Sequence, residues 1–414
     1  MTEKSVWQQR REAAFDKALS RHAHEGGIAH HDGGPDVEGY LYRKGQLLVG
    51  RGAVDELRRE TQHPGVRPHE EVNAELAERG VDLQCWWVPD EISVPDLQQT
   101  LHGRARSAGS HVSLNHVFTG EWVYLGGPAT QPELAPVLRA PSEQVVPDAP
   151  ATVSVLDTGV ASPVNAFFSD AVRDDDGQGV DLLDEDGNHY LDSEAGHGTF
   201  ICGLVRQAAP GIALEQRKVL DSDGFGDDLT VARGIATSTA PVLNLSLGGY
   251  TAGNRRPRAL HEALAALEPS RVVVAAAGNN ARAREFWPAA FPQVIAVAAY
   301  DPQTGEPAGF SNHGPWVDVC APGVGLRSCF VDGRRSGDPD APTFSGWASW
   351  SGTSFAAPLV AAEIARRVAA GSSSTARAAA DELLDELGPL PRNGYGRRFT
   401  PSGDVLGVTP VGAV

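Results

Sequence analysis

Residues 271–280 read RVVVAAAGNN, an unbroken apolar run closed by a glycine and two asparagines. A strand with one wet face alternates polar and apolar side chains. A run this uniform needs cover on both faces, as parallel strands between helices have. Working outward, comparable runs recur at 293–300 (QVIAVAAY), 241–247 (PVLNLSL), 213–220 (ALEQRKVL) and 152–157 (TVSVLD). Between them lie helical stretches at 229–239 (LTVARGIATST) and 258–268 (RALHEALAALE), and further helices are expected from His197 and from Thr353 to about Ala369. This alternation predicts an α/β fold, a doubly wound and mostly parallel sheet, over residues 150–414.

A 414-residue chain exceeds what one core usually organises, so a second, smaller unit is expected. Upstream, GQLLVG (45–50), VDLQCWWVP (81–89) and HVSLNHVF (111–118) read as strands, with helices over AVDELRRETQ (53–62) and from near Pro95. That order predicts a small α+β domain over 39–121. Residues 122–149 are rich in proline and read as a linker, and residues 1–38, closing in HAHEGGIAHHDGGPD, read as a flexible polar tail.

Lys and Arg number 35 against 53 Asp and Glu, a formal net charge of −18, which repels phosphate backbones and anionic lipid surfaces. Nucleic acid and membrane partners are therefore not expected, and a monomer is. The four cysteines, Cys85, Cys202, Cys320 and Cys329, lack metal-binding spacing and are read as reduced; Cys320 and Cys329 are close enough in sequence to pair in an oxidising compartment. The first residues carry charges and no signal-peptide core, so a cytoplasmic protein is expected, with unconventional export as the alternative.

Three glycine-flanked turns carry the chemistry. VSVLDTGV puts Asp157 at the carboxyl end of a buried strand, where open α/β sheets gather their functional groups. GHGTF sets His197 at a helix start, and SGTSFAAP sets Ser354 at another, where amide donors and the positive helix end stabilise developing negative charge. Each alone has a bland reading: a strand-ending carboxylate, a structural histidine, a serine cap. Together they supply a nucleophile, a base to take its proton and a carboxylate to orient that base, which is the equipment of acyl transfer.

DTG (157–159), GHGTF (196–200), LNLSLGG (243–249), AAAGNN (275–280) and SGTSFAAP (351–358), in this order, resemble the subtilisin-like serine protease family over roughly residues 151–400. The order Asp, His, Ser is also that of subtilisin. The resemblance implies an endopeptidase with Asp157, His197 and Ser354 as its triad and Asn279 as the side-chain donor of the oxyanion hole. It implies substrate contacts from Ser246, Leu247 and Gly248 on one side and Gly224, Phe225 and Gly226 on the other, with a peptide pairing between them as an added strand. Phe286 would stand at the base of the pocket for the residue before the scissile bond, favouring small or medium side chains there.

The resemblance also implies that the 39–121 domain is a propeptide, with SLNHVFTGE (113–121) entering the active-site cleft in the manner of a product. A zymogen cut between about 119 and 150 follows as an expectation. No cofactor is expected, calcium staying possible but without a recognisable site. The helix after His197 lacks the Asn-rich insertion of calcium-binding relatives, and the acidic loop at 174–192 fits an EF-hand pattern poorly, so it is read as solvated. An inactive peptide-binding relative is disfavoured by the complete set of catalytic residues, a sedolisin-type acid peptidase by His197, and an aspartic protease by the lack of a second DTG.

Overall fold

The computed structural model describes residues 16, 18–22, 26–34, 37–104, 111–120, 131–138, 145, 150–162, 164–173, 179–338 and 340–401. Its centre is an eight-stranded, wholly parallel sheet. The strands run in the spatial order Arg397–Arg398, Val319–Pro322, Val294–Tyr300, Val272–Ala276, Val242–Leu245, Ala151–Asp157, Ala213–Lys218 and Val172–Arg173. From Ala151–Asp157 the chain crosses to one neighbour, Ala213–Lys218, and then returns to the other, Val242–Leu245. A crevice therefore opens at the carboxyl ends of the two central strands, where Asp157 and Ser246 sit.

The uniform apolar runs are explained by cover on both faces. Val272 and Val274 join one core with Phe200 and Leu204 of the His197–Ala208 helix and Leu359 of the Thr353–Ala369 helix. Val273 and Ala275, pointing the other way, join a second core with Val231 and Ile235 of the Asp228–Thr237 helix and Leu260 of the Arg258–Ala266 helix. An antiparallel pair, Leu326–Arg334 with Thr343–Trp350, backs the two helices that carry His197 and Ser354.

The upstream α+β domain is built on an antiparallel sheet whose central strands are Val37–Gly50, Leu83–Trp87 and Val112–Thr119. Leu47 and Val49 face a core shared with Leu57, Leu97 and Leu101 of its own helices. Leu48, with Leu83, Cys85 and Phe118, faces the other way, into the core around Val231 and Ala232. The two domains thus share one apolar cluster. The sheet continues across the boundary, because Val112–Thr119 also pairs antiparallel with Phe225–Asp227.

One expectation is corrected. Residues 1–38 do not form a flexible tail throughout: Ile28–Gly34 is a strand hydrogen-bonded to Val37–Gly50 from Ile28↔Arg43 to Gly34↔Val37. The histidine- and glycine-rich composition hid it, since the long neighbouring strand supplies an edge that needs no apolar periodicity to pair with. Residues 1–15 and most of the 122–149 linker lie outside the described residues. None of the four cysteines is bonded to another, Cys320 and Cys329 included. Among the described residues no helix is long and apolar enough to cross a membrane.

Candidate active site

The two glycines of GHGTF are steric requirements. Gly196 has φ +84°, and a Cβ there would meet the Phe330 ring at 2.8 Å; a Cβ on Gly198 would lie 2.2 Å from the Gly159 carbonyl oxygen. Their lack of side chains lets the start of the histidine helix close onto the DTG turn. There Nδ1 of His197 lies 2.7 Å from Oδ1 of Asp157, both residues buried, and the same oxygen accepts from the Thr158 amide at 2.9 Å. A carboxylate only accepts, so Nδ1 carries the proton and Nε2 is left as the basic nitrogen.

A second carboxylate ties the same two turns together, and the sequence reading missed it. Oδ2 of Asp181 accepts from Thr158 Oγ1 at 2.9 Å and from the Gly196 amide at 2.8 Å, while Oδ1 accepts from the Leu183 amide at 3.2 Å. Thr158 Oγ1 in turn accepts from the Gly198 amide at 3.1 Å. Burial outweighs these bonds and pushes the Asp181 carboxyl up to about 6.

Ser354 is the second residue of the Thr353–Ala369 helix, and the next residue, Phe355, lays its ring 5.4 Å from the His197 imidazole. Trp350 packs edgewise on the imidazole at 5.5 Å and also touches the Phe355 ring, 5.0 Å away. The Ser354 hydroxyl donates to the Ser246 carbonyl at 3.2 Å. Asn279 is oriented by Thr353: its Oδ1 accepts from the Thr353 amide at 2.8 Å and from Thr353 Oγ1 at 2.9 Å, and that hydroxyl accepts from the Gly278 amide at 3.0 Å. With its oxygen committed to the helix start, the carboxamide presents its NH₂ away from it.

Between the two segments expected to hold a peptide lies the protein's own chain. Thr119 pairs with Gly248 through two bonds of 2.9 Å, and Thr119, Phe118 and Val117 pair with Phe225, Gly226 and Asp227. The Gly120 amide donates to the Gly224 carbonyl at 3.2 Å, and a Cβ on Gly120 would lie 3.6 Å from the His197 ring. The Phe286 ring fills the space between Gly248 and Gly278: a Cβ on Gly248 would meet it at 2.2 Å and one on Gly278 at 3.0 Å. Leu247 is buried in the core shared by the two domains.

In the acidic loop, carboxylate oxygens of Asp184, Asp186 and Asp192 lie within 4.8 Å of one another. Asp184 accepts from the Asn188 and His189 amides at 3.0 and 2.9 Å, and Asp192 from the Glu185 amide at 2.7 Å, so much of the acceptor capacity closes the loop itself.

The profile of the Subtilase family matches residues 149–396, more than half of the chain. The chain belongs to the subtilase family. Among relatives of this subtilase, thermitase of Thermoactinomyces vulgaris is 34% identical over 251 residues, covering 57% of this chain and 82% of its own. The thermostable alkaline protease of Halalkalibacterium halodurans is 32% identical over 223 residues, 51% of this chain and 55% of its own. The chain thus spans little more than half the length of some curated relatives. Fervidolysin from Fervidobacterium pennivorans, a keratinolytic enzyme related to subtilisin, superposes over 89% of this chain and 62% of its own with a TM-score of 0.58 and 20% identity, a likeness of fold. The subtilase match ends where the last strand of the parallel sheet begins, so it takes in the turns of Asp157, His197 and Ser354 and leaves the upstream domain outside.

Proposed function

We propose that this subtilase is a serine endopeptidase, made as a zymogen that its upstream domain holds inactive. The observation that carries the reading is the 2.7 Å contact of His197 Nδ1 with buried Asp157, in a cleft that also holds Ser354. Nε2 of His197 takes the Ser354 proton as Oγ bonds to the substrate carbonyl carbon. The carbonyl oxygen, now negative, is held by the Asn279 side-chain NH₂ and the Ser354 amide. Collapse breaks the C–N bond, His197 hands its proton to the leaving amine, and water repeats the sequence to release the acid and restore Ser354.

The cut that frees the enzyme follows from strand register. Thr119 opposes Gly248, so a substrate chain in that antiparallel register sets the residue two further on opposite Ser246, whose carbonyl accepts the Ser354 hydroxyl. Self-cleavage is therefore assigned to the Glu121–Trp122 bond, inside the expected window; both residues lie outside those described. Buried Phe118 then fills the place of the third residue before the one that is cleaved after. The test is intact mass. Wild type should lose residues 1–121 on incubation while Ser354→Ala stays whole, and identical masses would remove the zymogen reading.

A further inference from the structure

Ahead of the first strand, Arg21 and His22 reach the two loops that lead to His197 and Gly224. Arg21 grips Asp223 with two nitrogens: Nε donates to Oδ2 at 2.8 Å and Nη2 to Oδ1. Its Nη1 donates to Asp186 Oδ2 at 2.7 Å, and Nη2 lies 3.6 Å from Asp192 Oδ1. Beside it, His22 Nε2 lies 3.4 Å from Asp221 Oδ2 and 3.6 Å from Asp223 Oδ2, with the ring edge-on to Phe225 at 5.2 Å.

The recess that receives Arg21 joins both walls of the cleft. Asp192 accepts from Ser222 Oγ at 2.5 Å, and the Glu194 amide donates to the Ser222 carbonyl at 3.0 Å, so the loop ending at His197 is sewn to the loop ending at Gly224. The Asp192 and Asp223 side chains are 1% and 7% exposed, and carboxylates so placed need a counter-charge. A planar guanidinium can grip one carboxylate with two parallel N–H bonds while its third nitrogen reaches another, a fork that an ammonium lacks.

We propose that the recess lined by Asp186, Asp192 and Asp223 is a guanidinium-binding site with Arg21 as its resident ligand. The segment around residues 18–22 thereby clamps the enzyme at a second point, apart from the strand in the cleft. This rests on the reading of the upstream domain as an inhibitor. After the cut, release requires both contacts to open, and each keeps the other's partner at high local concentration. Because the clamp is ionic, salt weakens it.

The experiment follows full-length wild type, Arg21→Gln and Arg21→Lys by intact mass, which scores the cut, and by peptide hydrolysis, which scores release. Arg21→Gln should shorten the lag between cut and activity by roughly tenfold, the size expected for a charge-assisted hydrogen-bond set. Arg21→Lys should fall between, keeping charge without the fork, and added NaCl should shorten the lag of wild type but not of Arg21→Gln. Equal lags with equal salt response overturn the clamp. If wild type is never cut, the zymogen reading fails instead, and the clamp is read in uncut Ser354→Ala by hydrogen exchange. Adding Arg21→Gln should then speed exchange at the Glu185, Ser222 and Gly224 amides, and unchanged exchange overturns the proposal.

Discussion

Ser246 and Ser354 hold each other. The Ser354 hydroxyl donates to the Ser246 carbonyl at 3.2 Å, and the Ser246 hydroxyl donates back to the Ser354 carbonyl at 2.6 Å, across 108 residues of sequence. The strand end proposed to receive a peptide and the helix that carries Ser354, the proposed nucleophile, are thereby tied together. Ser246→Ala removes the returned bond and also the partner of Asn244 Nδ2, 2.9 Å away. The expected outcome is a stability loss of about 1–3 kcal/mol. Steady-state kinetics should show kcat lower by about fivefold, the rate equivalent of one hydrogen bond. KM should hold, because the backbone of Gly248 is untouched; an unchanged kcat would show that the clamp does not position the nucleophile.

Asn279→Ala removes the donor proposed for the developing oxyanion, together with the acceptor of the Thr353 amide and hydroxyl. It should lower kcat by roughly 10² to 10³, the usual cost of losing one such donor, with little change in KM. A loss under about threefold contradicts the assigned role. Thr353→Val, which frees the Asn279 carbonyl from its hydroxyl partner, should produce a smaller fall of the same kind.

Phe286→Gly empties the space between Gly248 and Gly278. Peptide-library profiling should find small or medium residues before the scissile bond in wild type. The variant should shift kcat/KM toward large apolar residues by at least about tenfold, in the range that hydrophobic pocket fit allows. Wild type that selects bulky aromatics refutes the blocked pocket.

Burial raises the Asp181 carboxyl to about 6, above its ordinary value of 3.8. Folding therefore favours its neutral form. The stability this confers is complete below the ordinary value and is lost as pH rises through the raised one. Asp181→Asn titrates nothing there, so the difference in stability between wild type and variant should fall as pH rises from about 4 to 7, measured by denaturant melts at fixed salt. A difference independent of pH across that window contradicts the assignment.

His197 acts as a base only when unprotonated, so activity should rise from acid toward neutral and alkaline pH. An optimum near pH 4, measured on cleaved enzyme, contradicts the mechanism.

The apolar runs at 152–157, 241–247, 271–278 and 293–300 announced the parallel sheet because both of their faces are buried, a demand that composition alone meets. The turns of Asp157, His197 and Ser354 were legible through their flanking glycines, and at Gly196 and Gly198 the backbone leaves no room for a Cβ. What stayed hidden depends on partners distant in sequence. The helix Glu70–Glu78 has no fully buried residue and lays only Val72 and Leu76, partly buried, on the shared core, a stripe too short to stand out; it also holds Cys85 through Asn73 and pairs Glu75 with Arg233. Asp181 read as one carboxylate in an acidic loop, and only the fold brings Thr158 and Gly196 to it. Arg21 lay in what read as a tail, and its partners stand more than 160 residues away.

The most direct measurement is labelling of incubated protein with a fluorophosphonate, with the adduct mapped by peptide mass spectrometry. One adduct is expected, on the Ser354 hydroxyl, appearing after the chain is cut and abolished by His197→Ala. Failure of the cut protein to label, or an adduct on another serine, would contradict it.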